Sequence, residues 1–319
     1  MAKVRFFLCI LAPQSYSVMK EIYFAAGCFW GAQHFFSKVG GVQSATAGYA
    51  NGHTPNPSYE QVYTDTTGHA ETVRVRYSPE RVSLAELVRL FFTVIDPLSL
   101  NRQGGDKGTR YRTGVYYTSE DDRPVIEAVF AARQAALPGP LAVELKPLEC
   151  FFEAEERHQD YLGKNPGGYC HVPLKSFRYL SLYQDLKLML EGESDGIARM
   201  AVAAALIQGR MHFFWTGFYR VADGVLVLGP FQGPEACMRI GYGKGVCGTA
   251  WKEDRTVVVP DVEKFPGHIA CSRLSRSEIV VPLHEEGRVS AVLDIDSTEE
   301  GTFDEVDAIW LEMIAELLA

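Results

Sequence analysis

The chain of 319 residues carries 31 basic and 40 acidic side chains, a net charge of −9 with histidine neutral, and is 47% hydrophobic and 22% charged. That length suits two domains better than one core, and the acidic, ordinary globular composition argues against a general nucleic-acid binder. No apolar run reaches membrane-spanning length. The seven cysteines, odd in number and with no Cys-x-x-Cys pair, build neither a disulfide framework nor a zinc ribbon.

In chain order, "MAKVRFFLCILAPQS" has two basic residues and a very short apolar run without a clear cleavage site. Met19 stands directly before "KEIYFAAGCFW", so residues 1–18 read as an upstream extension, or a misplaced start, with a secretory signal as the alternative. A first block then alternates strands ("EIYFAA", "ETVRVRYS", "RTGVYYT") with helices ("SLAELVRLFFTVI", "DDRPVIEAVFAARQAAL"). Its long loops "GYANGHTPNPSY" and "NRQGGDKGTRYR", rich in Tyr, Asp and Gly, read as functional. A second block opens with "SFRYLSLYQDLKLMLEG" and "DGIARMAVAAALIQG", continues with strand-like runs such as "HFFWTGFYRV" and "SEIVVPLHEEGRVSAVLDIDS", and closes with the helix "DEVDAIWLEMIAELLA". Helices flanking an antiparallel sheet make this an α+β domain. The expected domains are residues 19–175 and 176–319.

Cys28 in "AAGCFWG" follows a strand and a small-residue turn and precedes an amphipathic helix. A helix N-terminus favours a thiolate. A buried cysteine in an aromatic core is the equally open reading.

The motifs "GCFWG", "GYANG", "NPSY", "GHAETVRVRY", "GGDKGTRYR", "HQDYL" and "NPGGYC", in that order across residues 20–174, resemble the methionine-S-sulfoxide reductase A family. The resemblance implies an α/β roll and a sulfoxide reductase. It makes Cys28 the nucleophile and Glu71 the acid, a carboxyl kept protonated by burial. It makes Phe29 and Trp30 the wall against the substrate methyl group, Tyr59 and Tyr111 the donors to the sulfoxide oxygen, and Asp106 the acid ordering that side. Cys170 is then the resolving thiol, condensing with a sulfenic acid on Cys28. His69, two residues before Glu71, faces the same side of a strand and reads as structural. Gln33 stands where the family often has Glu, and Cys150, where an aromatic is usual, reads as a buried non-catalytic thiol.

In the second block "FWTGFYRV", "EACMRIGYGKGVCGTAW" and "FPGHIACSRLSRSEIVVPL" resemble the free methionine-R-sulfoxide reductases of GAF fold. The resemblance implies Cys271 as nucleophile, Cys237 as resolving thiol and Cys247 as a secondary thiol, or a structural cysteine in a Gly-rich turn. Glu278, Asp294 and Asp296 match the acidic side of that pocket, and Trp215 and Tyr219 its aromatic enclosure. Asp294 and Asp296 alternate in "VLDID" and so share a face. Several carboxylates suit the ammonium group of a free amino acid.

The function expected is a two-site oxidoreductase, one site for peptide-bound and free methionine-S-sulfoxide, the other for free methionine-R-sulfoxide. The alternative makes the GAF block a sensor regulating the first enzyme; a redox switch acting on a partner is the third reading. No bound cofactor and no metal are expected, since Cys170, His158 and His171 lack zinc spacing. Thioredoxin or another dithiol is the implied electron donor. Oxidised proteins and free methionine sulfoxide are the implied substrates, with no nucleic acid or membrane partner and a cytoplasmic location.

Overall fold

The computed structural model describes residues 19–269 and 271–319; the expectation for residues 1–18 lies outside them. The described residues form two compact units, one from residues 19–88 plus Asp96–Tyr169, the other from Arg89–Ile95 plus Cys170–Ala319.

The first unit is built on a six-stranded mixed sheet. In chain order come β1 (Lys20–Ala26), α1 (Phe29–Phe36), β2 (Val42–Ala50), α2 (Tyr59–Tyr63), β3 (Ala70–Tyr77), α3 (Leu84–Phe92), the two-residue strands β4 (Arg102–Gln103) and β5 (Asp106–Lys107), β6 (Thr113–Tyr117), α4 (Arg123–Ala136), β7 (Val143–Pro147), β8 (Phe151–Glu153) and α5 (Tyr161–Lys164). The order across the sheet is β7-β6-β1-β3-β2-β8, antiparallel except between β6 and β7. Ile22 and Phe24 of β1 lie opposite Val75 and Val73 of β3 on one face of the sheet, all four fully buried, and Phe24 stacks on Phe36 of α1 with ring centroids 4.6 Å apart. Two departures from expectation have physical causes. The helix expected to run through Ile95 ends at Phe92, where the Thr93 hydroxyl donates to Leu90 O at 2.7 Å and competes with the helical pattern. β2 was hidden by its sequence "VQSATAGYA", poor in β-formers; its place comes from pairing with β3 and β8.

The second unit begins with α6 (Leu174–Met189) and α7 (Gly196–Met211). It then lays down β9 (Trp215–Ala222), β10 (Val225–Gln232), β11 (Arg239–Gly241), α8 (Gly245–Glu253), β12 (Val257–Val259), β13 (Ser277–Glu285), β14 (Arg288–Ser297) and α9 (Glu305–Leu318). The sheet order is β11-β10-β9-β14-β13-β12, antiparallel throughout. β13 and β14 join through Glu286 and Gly287, both with positive φ (51° and 72°), the geometry that matches strand twist in a two-residue hairpin. Asp195 caps α7 by accepting from Ala198 N at 2.8 Å, and Asp304 with Asp307 forms a capping box on α9. The Gly-rich stretch around Cys247, which one of its two readings made a turn, opens the helix α8.

Among the described residues no helix is long and apolar enough to cross a membrane.

Candidate active sites

In the first unit Gly27, at φ 76°, turns the chain out of β1, and Cys28 becomes the N-cap residue of α1. Cys28 is buried and joined in no disulfide, and its side chain does not cap the helix. The neighbouring strand supplies the acid. Glu71, second residue of β3 and opposite Tyr49 on β2, is 1% exposed, and its Oε2 accepts from Phe29 N at 3.0 Å. Burial, foremost, pushes this carboxyl up to about 8; the Phe29 N–H and the Arg110 charge pull it back, and Asp106 adds to the rise. A neutral, proton-bearing acid therefore sits at the same helix N-terminus as the thiol.

An aromatic box adjoins them. Trp30 stacks on Tyr161 at 3.8 Å between centroids and donates from Nε1 to His158 Nδ1 at 3.3 Å. His158 in turn lies against Phe29 (5.5 Å) and Tyr59 (4.4 Å). Glu155 ties the polar side: it accepts from Tyr49 OH and from Tyr59 N, each at 2.8 Å. Burial pushes the Tyr59 hydroxyl up to about 12 and the Tyr111 hydroxyl further, so both remain proton donors. Asp106 lies on β5 with a buried Oδ2 that no hydrogen-bond partner satisfies. Glu71, Phe29, Trp30, Tyr59, Asp106 and Tyr111 all belong to the first unit, with Cys28. Cys170 falls in the second, as a half-buried free thiol whose Sγ is 3.8 Å from Val172 O and which burial pushes up.

Cys150 corrects one expectation. It is half-buried rather than buried, because it precedes the edge strand β8, and its Sγ lies 3.4 Å from Gly52 O. His69 is buried, with Nε2 2.8 Å from Thr54 O, and Gln33 bridges Ala45 O and Gln159 Oε1 at 3.0 and 2.9 Å. His158, Tyr161 and Glu155 had no assigned role; they fall in or beside "HQDYL", a motif whose individual side chains spacing alone does not sort.

In the second unit Cys237 and Cys271 form a disulfide, Cα atoms 5.4 Å apart, joining the segment after β10 to the one before β13. The strand register assembles the acids. Glu278 on β13 lies opposite Asp296 on β14, and Asp294 stands two residues along, on the same face. Cys247 enters from the first turn of α8, its Sγ 3.9 Å from Glu278 Oε1. Trp215 and Tyr219, four residues apart on β9, close the pocket with centroids 6.0 Å apart, and Phe231 stacks on Trp215 at 5.6 Å. Gly217 makes room for this: a Cβ there would come within 2.4 Å of both the indole and Phe231 Cβ. The cavity is lined by Trp215, Tyr219, Cys247, Cys271 and the three acids, with Glu235 and His268 at its side, which sequence reading had not singled out.

Three carboxyls in so dry a place cannot all ionise. Burial first, and then mutual repulsion, pushes Glu278 and Asp294 well above the carboxylate range, and burial takes Asp296 up to about 6. Cys247 is held as a thiol for the same reasons. One buried oxygen, Asp294 Oδ1, has no hydrogen-bond donor. The pocket can thus accept an ammonium group and also give a proton to a bound oxygen. Cys247, Glu278 and Asp294 also bring ligand atoms within 4.8 Å of one another, a donor set able to take a metal ion that sequence spacing had not suggested.

A family model described as peptide methionine sulfoxide reductase matches residues 20–187, and one described as GAF domain matches residues 193–319. Two curated relatives carry the name peptide methionine sulfoxide reductase MsrA. That of Clostridium botulinum (strain Okra / Type B1) is 49% identical over 156 residues, 49% of this chain and 99% of the relative. That of Lachnoclostridium phytofermentans is 51% identical over 153 residues, 48% of this chain and 92% of the relative. Among solved structures, free methionine-R-sulfoxide reductase from Neisseria meningitidis in complex with its substrate is 48% identical, covering 44% of this chain and 85% of that one, with a TM-score of 0.43. The reduced form of fRMsr of Staphylococcus aureus is 43% identical, covering 44% and 92%, with a TM-score of 0.43.

Proposed function

Because the chain belongs to the peptide methionine sulfoxide reductase family across residues 20–187, we propose that its first unit reduces methionine-S-sulfoxide, free and peptide-bound, and that its second unit reduces free methionine-R-sulfoxide. Sulfoxide sulfur is chiral, and one enzyme serves each hand. A chain with both sites would clear both epimers of the free amino acid and the S epimer within oxidised proteins.

The observation that carries the first assignment is the Glu71 carboxyl, fully buried and hydrogen-bonded to the N–H of the residue after Cys28. The Cys28 thiolate attacks the sulfoxide sulfur while Glu71 delivers a proton to the oxygen. Oxygen passes to Cys28 as a sulfenic acid and the thioether leaves. Cys170 then attacks the sulfenic sulfur, water departs and a disulfide forms. A dithiol such as thioredoxin returns two electrons and two protons by exchange. Phe29 and Trp30 take the methyl end; Tyr59 and Tyr111, with Asp106, hold the oxygen.

The second assignment rests on the same chemistry in different residues. The joined pair Cys237 and Cys271 is the oxidised end of such a cycle, with Cys271 lining the pocket. Glu278, Asp294 and Asp296 receive the α-ammonium group, and the carboxyl that stays protonated donates to the oxygen. Trp215 and Tyr219 enclose the methyl end. A substrate whose ammonium must be buried is a free amino acid rather than a residue in a chain.

The test is turnover of free S- and R-methionine sulfoxide, and of an S-sulfoxide peptide, by the intact chain with dithiothreitol and with thioredoxin. Reduction of all three is expected. Absence of R turnover by a folded chain would make the second unit a sensor.

A further inference from the structure

Arg110 stands one residue before Tyr111, in the single turn Thr109–Tyr111, and is only 7% exposed. Its Nη1 donates to Asp65 Oδ2 at 2.7 Å and to Tyr63 O at 3.1 Å, while its main-chain N–H donates to Asp65 Oδ1 at 3.1 Å. The guanidinium carbon lies 4.2 Å from the Tyr63 ring centroid and 4.4 Å from that of Tyr111. The backbone is arranged around this pair. Asp65 sits at φ 61°, and Gly108 at φ 136° lies where a Cβ would come 2.5 Å from Asp65 Oδ2 and 2.8 Å from Arg110 Nη1. The guanidinium is buried and Asp65 half-buried, and an ion pair so placed is weak evidence for a purely stabilising role. This one lies behind a tyrosine assigned to hold the sulfoxide oxygen.

We propose that Arg110 is a positioning residue of the S-sulfoxide site: locked by Asp65, its guanidinium fixes the Tyr111 ring and sets a permanent positive charge behind the oxygen-binding side of the pocket. The proposal rests on the reading of the first unit as a sulfoxide reductase. As the Cys28 thiolate attacks sulfur, electron density moves onto the oxygen, and a fixed cation nearby favours that movement without reorganising. The same charge opposes the burial that raises the Glu71 carboxyl, keeping it a stronger acid; it also acts on Tyr59 and Tyr111, while Asp106 works the other way. Tyr49 lies across the strand pair from Glu71 and carries no charge.

The test is steady-state reduction of free methionine-S-sulfoxide with dithiothreitol from about pH 6 to about pH 10 by wild type, Arg110→Gln and Arg110→Lys. Arg110→Gln should lower kcat about tenfold or more, change KM by less than about threefold, and move the alkaline limb upward by more than about half a pH unit. Arg110→Lys, which keeps the charge but not the flat stack, should hold the limb in place and lose about threefold in kcat. A limb and kcat unchanged in Arg110→Gln, or equal losses in both variants with neither limb moved, would overturn the proposal. If far-UV circular dichroism shows Arg110→Gln unfolded, Arg110→Lys decides alone: lowered kcat with an unmoved limb supports the proposal, wild-type kcat overturns it. A folded wild type with no S-epimer turnover would instead remove the underlying reading, and this inference with it.

Discussion

Glu71 and Phe29 are joined by a 3.0 Å hydrogen bond from the Phe29 main-chain N–H to the Glu71 carboxyl, so a carboxyl on β3 and the Cys28 thiol meet at the N-terminus of one helix. Distance along the chain is bridged by the pairing of β1 with β3. Replacing the acid by its amide keeps an acceptor for Phe29 and removes the proton. Glu71→Gln should lower kcat for the S epimer by about 10² to 10⁴ and abolish the alkaline limb near pH 8 that the protonated carboxyl imposes. A limb that survives in the variant assigns the titration to another group.

The same carboxyl marks stability. Its folded-state value, about 8, lies above its ordinary 4.5, so the fold prefers the protonated form. Its stabilising preference is intact below about 4.5, is lost as pH climbs from there to about 8, and changes no further above that, with a slope of up to about 1.4 kcal/mol per pH unit for one group. Thermal melts should show Glu71→Gln gaining on wild type between pH 5 and pH 8. Melting curves that stay parallel across that range would contradict the burial argument.

Independent sites predict a clean separation. Cys28→Ser should lose S-epimer reduction and keep R-epimer reduction, and Cys271→Ser the reverse, each residual activity within about twofold of wild type. Chiral chromatography of the remaining sulfoxide reads both at once. Loss of both hands from either substitution would refute separate chemistry.

Cys237, not Cys247, is joined to Cys271, while Cys247 is buried beside Glu278. After one equivalent of R-sulfoxide, the first-formed disulfide in wild type should therefore contain Cys237. Cys237→Ser should slow multiple turnover with a dithiol by about tenfold or more, and Cys247→Ser should leave it largely intact. Peptide mapping of the oxidised chain identifies the partner; a Cys247–Cys271 linkage as first product would reverse the roles.

Much of the sequence-level picture was legible because its signals were local. Hydrophobic periodicity marked β1, β9 and α9, and period-2 alternation put Asp294 and Asp296 on one face. What escaped was set by tertiary contacts. β2 has weak intrinsic preference and exists through its neighbours. α8 forms despite two glycines, Gly245 and Gly248, its first residues buried against the sheet. Glu155 and His158 acquire contacts only when the chain folds back on Tyr59 and Trp30, and Arg110 looks like any surface cation until its burial and its pairing with Asp65 are seen.

The tight turn at Glu286–Gly287 reaches further than its size suggests. Together with the bulge between Leu283 and His284 it sets which residue of β13 meets which of β14, and hence that Glu278, Asp294 and Asp296 share one face. Adding a single amino acid there would slide one strand past the other and present Ile279 or Ile295 to the cavity in their stead. The ligand preference of the second unit is therefore encoded partly in a bend that never touches the ligand, and insertions at that bend are the shortest mutational path from an acid-lined receptacle to a greasy one.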